Sequence, residues 1–175
     1  FADIFPSDEA WEAAYREAED AIAQIPAIKG TLGASVEAMK NGLDVFFAAS
    51  EKAELVYVYS MLRLNVDNGD PKYQTMNGRA MNLLVKVSTA TSFLEPEILA
   101  IPADKLAEMI NDPLLGGYKH MLQDTDRGRA HVGSAEIEHM MAMLSDVSGT
   151  AKSCFTALES VDMTFPEITD ENGEK

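Results

Sequence analysis

The chain has 175 residues, enough for one domain with a sizeable core, and its 46% hydrophobic and 25% charged residues suit a globular protein rather than a disordered one. A formal net charge of −15 repels phosphate backbones and anionic lipid surfaces, which argues against nucleic-acid binding and against membrane association. The single cysteine, Cys154, leaves no disulfide framework and points to a reducing, cytoplasmic compartment, and no apolar run approaches the length of a membrane span.

Residues Phe1 to Pro6 read as an extended lead-in. Ser7 then caps a helix whose first turn carries Asp8 and Glu9, which suits the positive end of a helix dipole. Trp11, Ala14, Tyr15, Ala18, Ile22 and Ile25 form its inward stripe, and Pro26 ends it. Lys29-Gly30 to Gly33 is a turn, and Ser35 caps the next helix.

From Ser35 to Leu94 the pattern predicts a long helical hairpin. On the first arm Val36, Met39, Leu43, Phe46, Ser50, Ala53, Tyr57, Ser60 and Leu64 recur at alternating spacings of three and four. On the second arm Tyr73, Met76, Ala80, Leu83, Val87, Ala90 and Leu94 do the same, so each helix has one apolar face. Between the arms lies Asn68-Gly69-Asp70-Pro71. Gly69 is expected to end the first helix in the left-handed conformation, Asp70 to cap the second, and Pro71 to fill its first position. So short a connection makes the arms antiparallel neighbours. Unbroken, the first arm spans about 45 Å, although Gly42 weakens it and Ala48-Ala49-Ser50 is a place for a break. Trp11, Tyr57 and Tyr73 read as core anchors.

After Leu94 the elements shorten. Glu95-Pro96 opens a segment through Ala100. Pro102 opens another helix with Leu106, Met109 and Ile110 inward, stopped by Asn111-Asp112-Pro113. Leu114, Leu115, Tyr118, Met121 and Leu122 mark a further helix that fades into the polar run Asp124 to Arg129. Ser134 caps a last long helical region. There Ile137, Met140, Leu144, Val147, Ala151, Cys154, Leu158 and Val161 form an apolar stripe, which places the thiol in the interior. The tail differs: Met163 to Ile168 alternates as an extended segment, and Asp170-Glu171-Asn172-Gly173 is a hairpin turn with no second strand after it. The expected fold is therefore all-α. It is an antiparallel bundle of about six to eight helices around the long hairpin, with a short β-like C-terminal tail. Residues 1–161 form the helical lobe, and residues 162–175 begin a strand and turn whose partner lies further along. With that strand and turn unpartnered, the chain reads as the front portion of something longer, and Phe1 rather than Met implies that residues are missing from its start.

Chemistry-bearing motifs are sparse. Glu136-Ile137-Glu138-His139 holds one Glu-x-x-His, but a di-metal bundle needs two such motifs and two further glutamates, and no second motif exists. A solvated helix face explains the single match. His131, between Arg127-Gly128-Arg129 and the Ser134 cap, is a loop residue and a candidate partner contact. His120 reads as a half-exposed surface residue. Met140, Met141 and Met143 at helical spacing read as core filler. Tyr57 and Tyr59, two apart, point to different faces, so one of them nears the surface and is a candidate for peptide contact. No catalytic triad, phosphate loop, Cys-x-x-Cys or His-Glu-x-x-His is present, so no catalytic, cofactor-binding or metal residue is assigned.

An ordered set of segments remains. Ile4-Phe5-Pro6-Ser7-Asp8-Glu9-Ala10-Trp11 is followed by Lys29-Gly30 with Leu32, then Leu55-Val56-Tyr57-Val58-Tyr59 with Leu62-Arg63. Asp67 to Gln74, Ser92-Phe93-Leu94-Glu95-Pro96-Glu97-Ile98, Leu114 to His120, Arg127 to Glu138 and Phe165 to Gly173 complete it. In number, order and spacing the set resembles the N-terminal region of the oligoendopeptidase F family, in the thimet-oligopeptidase class of zinc peptidases. The chain departs from that family at Gly69-Asp70, where threonine or asparagine is usual, and at Gly133, where leucine is usual. The resemblance covers essentially the whole chain.

The resemblance implies a non-catalytic helical lobe facing a C-terminal catalytic domain across a channel that admits only short oligopeptides. The family's zinc ligands lie several hundred residues further on, so the resemblance places zinc in the parent and none in this chain. It implies peptide-bond hydrolysis by the whole, with zinc polarising the scissile carbonyl and a glutamate acting as general base. An isolated lobe is expected to expose apolar surface that a homodimer would bury. The alternative is a stand-alone acidic helical module that binds a protein or basic peptide. A ferritin-like metal bundle is a third reading, opposed by the missing second Glu-x-x-His.

Overall fold

The computed structural model describes residues 1–132 continuously and, beyond them, only Ile137, Met140, Ala151, Cys154, Phe155, Leu158, Glu159, Met163, Thr164 and Gly173. By internal contacts the chain divides into Phe1–Arg129 and Ala130–Lys175.

In the first unit, α1 spans Asp8–Gln24 and is followed by a 3-10 turn at Ile25–Ile28. Then come α2 (Val36–Val66), α3 (Pro71–Thr91), α4 (Leu94–Ala100), α5 (Ala103–Ile110) and α6 (Lys119–Gly128). The two serine caps act as expected: Ser7 Oγ accepts from the Ala10 amide at 3.3 Å, and Ser35 Oγ accepts from the Ala38 amide at 3.2 Å. No helix among the described residues is long and apolar enough to cross a membrane.

α2 is the spine because it belongs to two cores. From Ala49 onward it gives Ala49, Ala53, Val56 and Tyr59 to a core shared with Trp11, Tyr15 and Ala18 of α1 and Met76, Ala80 and Leu83 of α3. Its N-terminal half gives Met39 and Leu43 to a second core with Ile28, Leu32 and residues of α4, α5 and α6. Val45 and Phe93 pack against both. Small residues at the seam let α1 lie close to α2, where Trp11 Nε1 donates to the Val56 carbonyl at 2.8 Å. Ion pairs then flank α1 on both sides: Glu17 with Lys52 of α2, and Glu12 and Glu19 with Arg79 and Lys86 of α3. Exposed pairs of this kind set register more than they add stability.

Several details differ from the sequence reading. α2 is unbroken across Ala48-Ala49-Ser50. The reason for Gly42 is packing: a Cβ there would collide with Leu32 Cδ2. Gly69 does not take the left-handed conformation, and among the described glycines only Gly30 (φ 83°) and Gly173 (φ 80°) do. Instead Asp67 Oδ1 accepts from the Gly69 amide at 2.9 Å, a side-chain turn that replaces the glycine cap, and Asp70 Oδ1 then accepts from the Lys72 amide at 2.8 Å to start α3. The anchor on α2 is Tyr59, 1% exposed, with Val56 beside it, whereas Tyr57 is half-buried. Over 31 residues an α-helix drifts relative to a fixed three-four count, so its inward face passes from Tyr57 to Val56 and Tyr59. Leu114 is exposed and Leu115 is the buried residue of that pair.

In the second unit the described residues of the expected stripe, Ile137, Met140, Ala151, Cys154 and Leu158, are all exposed, so their burial, the thiol's included, is not observed; Leu144, Val147 and Val161 lie outside the described residues. An apolar stripe is buried only where another element covers it. The Ser134 cap, the Glu136–His139 motif, Met141, Met143 and most of the 163–173 tail lie outside the described residues. Among the described residues there is no strand.

Candidate functional site

Where the hairpin turn meets the start of α1, motif residues from three stretches meet at one carboxylate. Asp8, in the first turn of α1, accepts from the Tyr59 hydroxyl at 2.8 Å and pairs with Lys72 Nζ at 2.5 Å and Arg63 Nη2 at 3.4 Å. The Arg63 guanidinium lies over the Tyr73 ring at 4.9 Å and within 5.6 Å of the Phe1 and Tyr59 ring centroids. Phe5 meets the Tyr59 ring edge-on at 5.5 Å, docking the lead-in. Burial raises the Asp8 pKa, but hydrogen bonds from Lys72 and Tyr59 and the charges of Lys72 and Arg63 outweigh it, and the carboxyl sits below its usual range. Burial and the Asp8 bond push the Tyr59 phenol up.

One turn along, Glu12 receives a bidentate fork from Arg79 at 2.7 and 2.9 Å, and that guanidinium covers the Tyr15 and Trp11 rings at 4.3 and 5.1 Å. Between these two pairs lies a cleft of about 340 Å³ floored by Trp11 and Met76. Each of its cations already has an acid partner.

A second cleft of about 340 Å³ opens where α2, α3, α4 and α6 meet. Leu43, Leu94 and Ile98 form its buried floor, and Ser88, Thr125 and Glu95 stand at its rim. The Thr91 and Ser92 hydroxyls that also line it donate to the carbonyls of Val87 and Thr89 in the preceding turn of the chain. Next to Phe46 of this cleft, Phe47 stacks on Tyr118 at 5.4 Å, and the Tyr118 hydroxyl donates to Asp44 at 2.5 Å.

The residues singled out from the sequence separate. Tyr59 is committed to the interior bond with Asp8, Tyr57 is the one nearer the surface, and His131 is exposed in a 3-10 turn at Arg129–His131. Sequence periodicity missed Arg63, Lys72 and Arg79, because it ranks apolar faces and is blind to which cation meets which acid. Among the described residues no three His, Cys, Asp or Glu side chains could hold a metal ion together, so they do not fit a zinc site.

The family description that matches, over residues 97–165, is oligopeptidase F. Over 172 residues the chain is 36% identical to the oligopeptidase PepF of Bacillus subtilis, covering 98% of this chain and 26% of that protein. It is 31% identical over 173 residues to the group B oligopeptidase PepB of Streptococcus agalactiae, covering 98% and 29%. The crystal structure of oligoendopeptidase-F from Enterococcus faecium superposes with a TM-score of 0.78 at 33% identity, over 95% of this chain and 32% of that one. A solved structure from Chlamydophila abortus shares the fold, with a TM-score of 0.69 at 21% identity over 98% and 29%. The chain thus spans between a quarter and a third of the length of these relatives.

Proposed function

This chain belongs to the oligoendopeptidase F family as its N-terminal region, and on that premise we propose that it is the non-catalytic lobe of a zinc-dependent oligopeptidase. In this reading it walls a channel and limits substrates to short unfolded peptides, while a catalytic domain contributed by further sequence carries the zinc and hydrolyses the peptide bond. Residues 162–175 lead from the lobe towards that domain.

The observation that carries the proposal is similarity along nearly the whole chain to proteins named as oligopeptidases, each about three to four times its length. The two-core architecture supports it. A spine shared by two packed groups holds the wall as one stiff body, which suits size exclusion better than a loop would. No step of hydrolysis is assigned to residues of this chain. A cytoplasmic location belongs to the same proposal.

The test compares the natural full-length protein with residues 1–175 alone. The full-length protein should cleave short peptides, lose that activity to a chelator and spare a folded protein. The 175 residues should cleave neither. Peptide cleavage by the isolated 175 residues, or equal cleavage of folded proteins by the whole, overturns the proposal.

A further inference from the structure

We propose that the cleft between α2, α3, α4 and α6 is a peptide subsite that takes one apolar side chain lying next to a lysine or arginine. The inference rests on the reading of the chain as a peptide-contacting lobe and names the chemistry it prefers.

Three observations carry it. The first is shape: the cleft holds about 340 Å³, within the range of sites that enclose a small ligand group. Its floor of Leu43, Leu94 and Ile98 is at most 7% exposed. The rigid second core therefore supplies the walls, and an entering apolar side chain displaces water without rearranging them. The second is the state of the polar groups. Thr91 and Ser92 spend their hydroxyl protons on helix carbonyls, so the hydroxyls there act as acceptors. Ser88 and Thr125 add two hydroxyls at the rim. The third is charge. Glu95 is the one acidic residue among those lining the cleft, it is exposed, and it makes no ion pair among the described residues. No lining residue is cationic, and the chain carries a net −15. A cation beside the apolar side chain meets an acceptor rim and a carboxylate with no ion-pair partner among the described residues, whereas an acid meets repulsion. The cleft beside Asp8 lacks this asymmetry, because each of its cations is already neutralised by an acid.

The test is fluorescence anisotropy on the natural full-length protein at low salt, with three labelled hexapeptides that differ only in a central Leu-Arg, Leu-Gln or Gly-Arg pair. Ser88 and Glu95 are exposed, so Ser88→Phe and Glu95→Lys leave the fold intact, which circular dichroism checks. The wild type should bind the Leu-Arg peptide at least threefold more tightly than either of the others. Ser88→Phe, which fills the cleft, should weaken the Leu-Arg peptide about tenfold and abolish the preference for Leu over Gly. Glu95→Lys should weaken the Leu-Arg peptide about tenfold and the Leu-Gln peptide less than twofold. Equal binding of the three peptides by the wild type, or unchanged binding in both variants, overturns the inference. A cleavage assay in parallel separates the two proposals. Cleavage that continues while the variants bind normally removes only the subsite, and absence of any cleavage removes the peptidase reading while the binding result stands on its own.

Discussion

Glu97 of α4 reaches the amide of Gly30, 67 positions earlier, at 2.8 Å, and its other oxygen takes the Leu32 amide at the same distance. One carboxylate thus closes the turn that leads into the spine helix, where Gly30 supplies the left-handed conformation. Both residues lie in segments whose sequence resembles the family, and the contact explains why those segments belong together. Lys105 Nζ reinforces the same junction by donating to the Gly33 carbonyl at 2.7 Å, and Arg129 donates to the carbonyls of Leu99 and Ile101 at the end of α4.

Glu97→Ala should therefore destabilise the unit by about 2 kcal/mol in urea unfolding. Two charge-assisted bonds are lost, but the exposed Gly30 amide recovers water while the partly buried Leu32 amide does not. Glu97→Gln, which retains one acceptor, should lose about half as much. An unfolding midpoint unchanged in both variants would show that the turn is held by its own backbone.

Gly42 and Gly78 should respond to alanine with opposite signs. Both are helical, and alanine favours a helix by about 1 kcal/mol at an exposed site. At Gly78 a Cβ meets nothing within 4 Å, so Gly78→Ala should stabilise by about 0.5–1 kcal/mol. At Gly42 the new methyl strikes Leu32, which is fully buried, and overpacking of about 1–3 kcal/mol outweighs the propensity gain. Thermal unfolding of the two variants side by side measures the difference.

Asp8 makes stability depend on acid. Its carboxyl binds a proton more weakly in the folded chain than in the unfolded one, so its contribution is fully present above the ordinary value of 3.8. It is lost as pH falls below that value and through the lower folded one. Asp8→Asn should be less stable than wild type at neutral pH, and the gap should narrow on acidification below about pH 4. Urea midpoints across that range give the curve. A gap that widens on acidification would contradict the ion-pair geometry.

Tyr118 should be the late-titrating tyrosine. The bond to Asp44, then burial and the Asp44 charge, push its phenol up to about 12. The folded state holds this proton more tightly, so the contribution is complete below the ordinary value of 10.0 and fades as pH rises towards 12. Ultraviolet difference titration should show a phenol ionising near 12 that disappears in Tyr118→Phe. Tyr59 should also ionise above the ordinary value, and Asp8→Asn should bring it down.

Much of the fold was legible in the sequence because local rules act within one or two helical turns. The caps at Ser7, Ser35 and Asp70 follow from short-range hydrogen bonding. The stripes Trp11–Ile22 and Met76–Val87 follow from helical period, and so does the inward Leu106, Met109 and Ile110. The long spine was the weak point, since a small error in period accumulates over its length. That is why Tyr57 was placed inside and Tyr59 was not assigned its partner.

What the sequence determined by itself was the all-helical class, the hairpin and the position of its turn, the acidic character, and a set of segments similar to one peptidase family. The tertiary structure alone decided that Asp8 gathers Tyr59, Arg63 and Lys72, that Glu97 closes the Gly30 turn, and that Gly42 exists to admit Leu32. These contacts join residues some 10 to 67 positions apart. Periodicity constrains which face a residue occupies but not which residue of another helix it meets, because that depends on crossing angle and axial offset. The same reason governs the cleft above the second core: its walls come from four helices, and only their packing brings an apolar floor and the exposed Glu95 together.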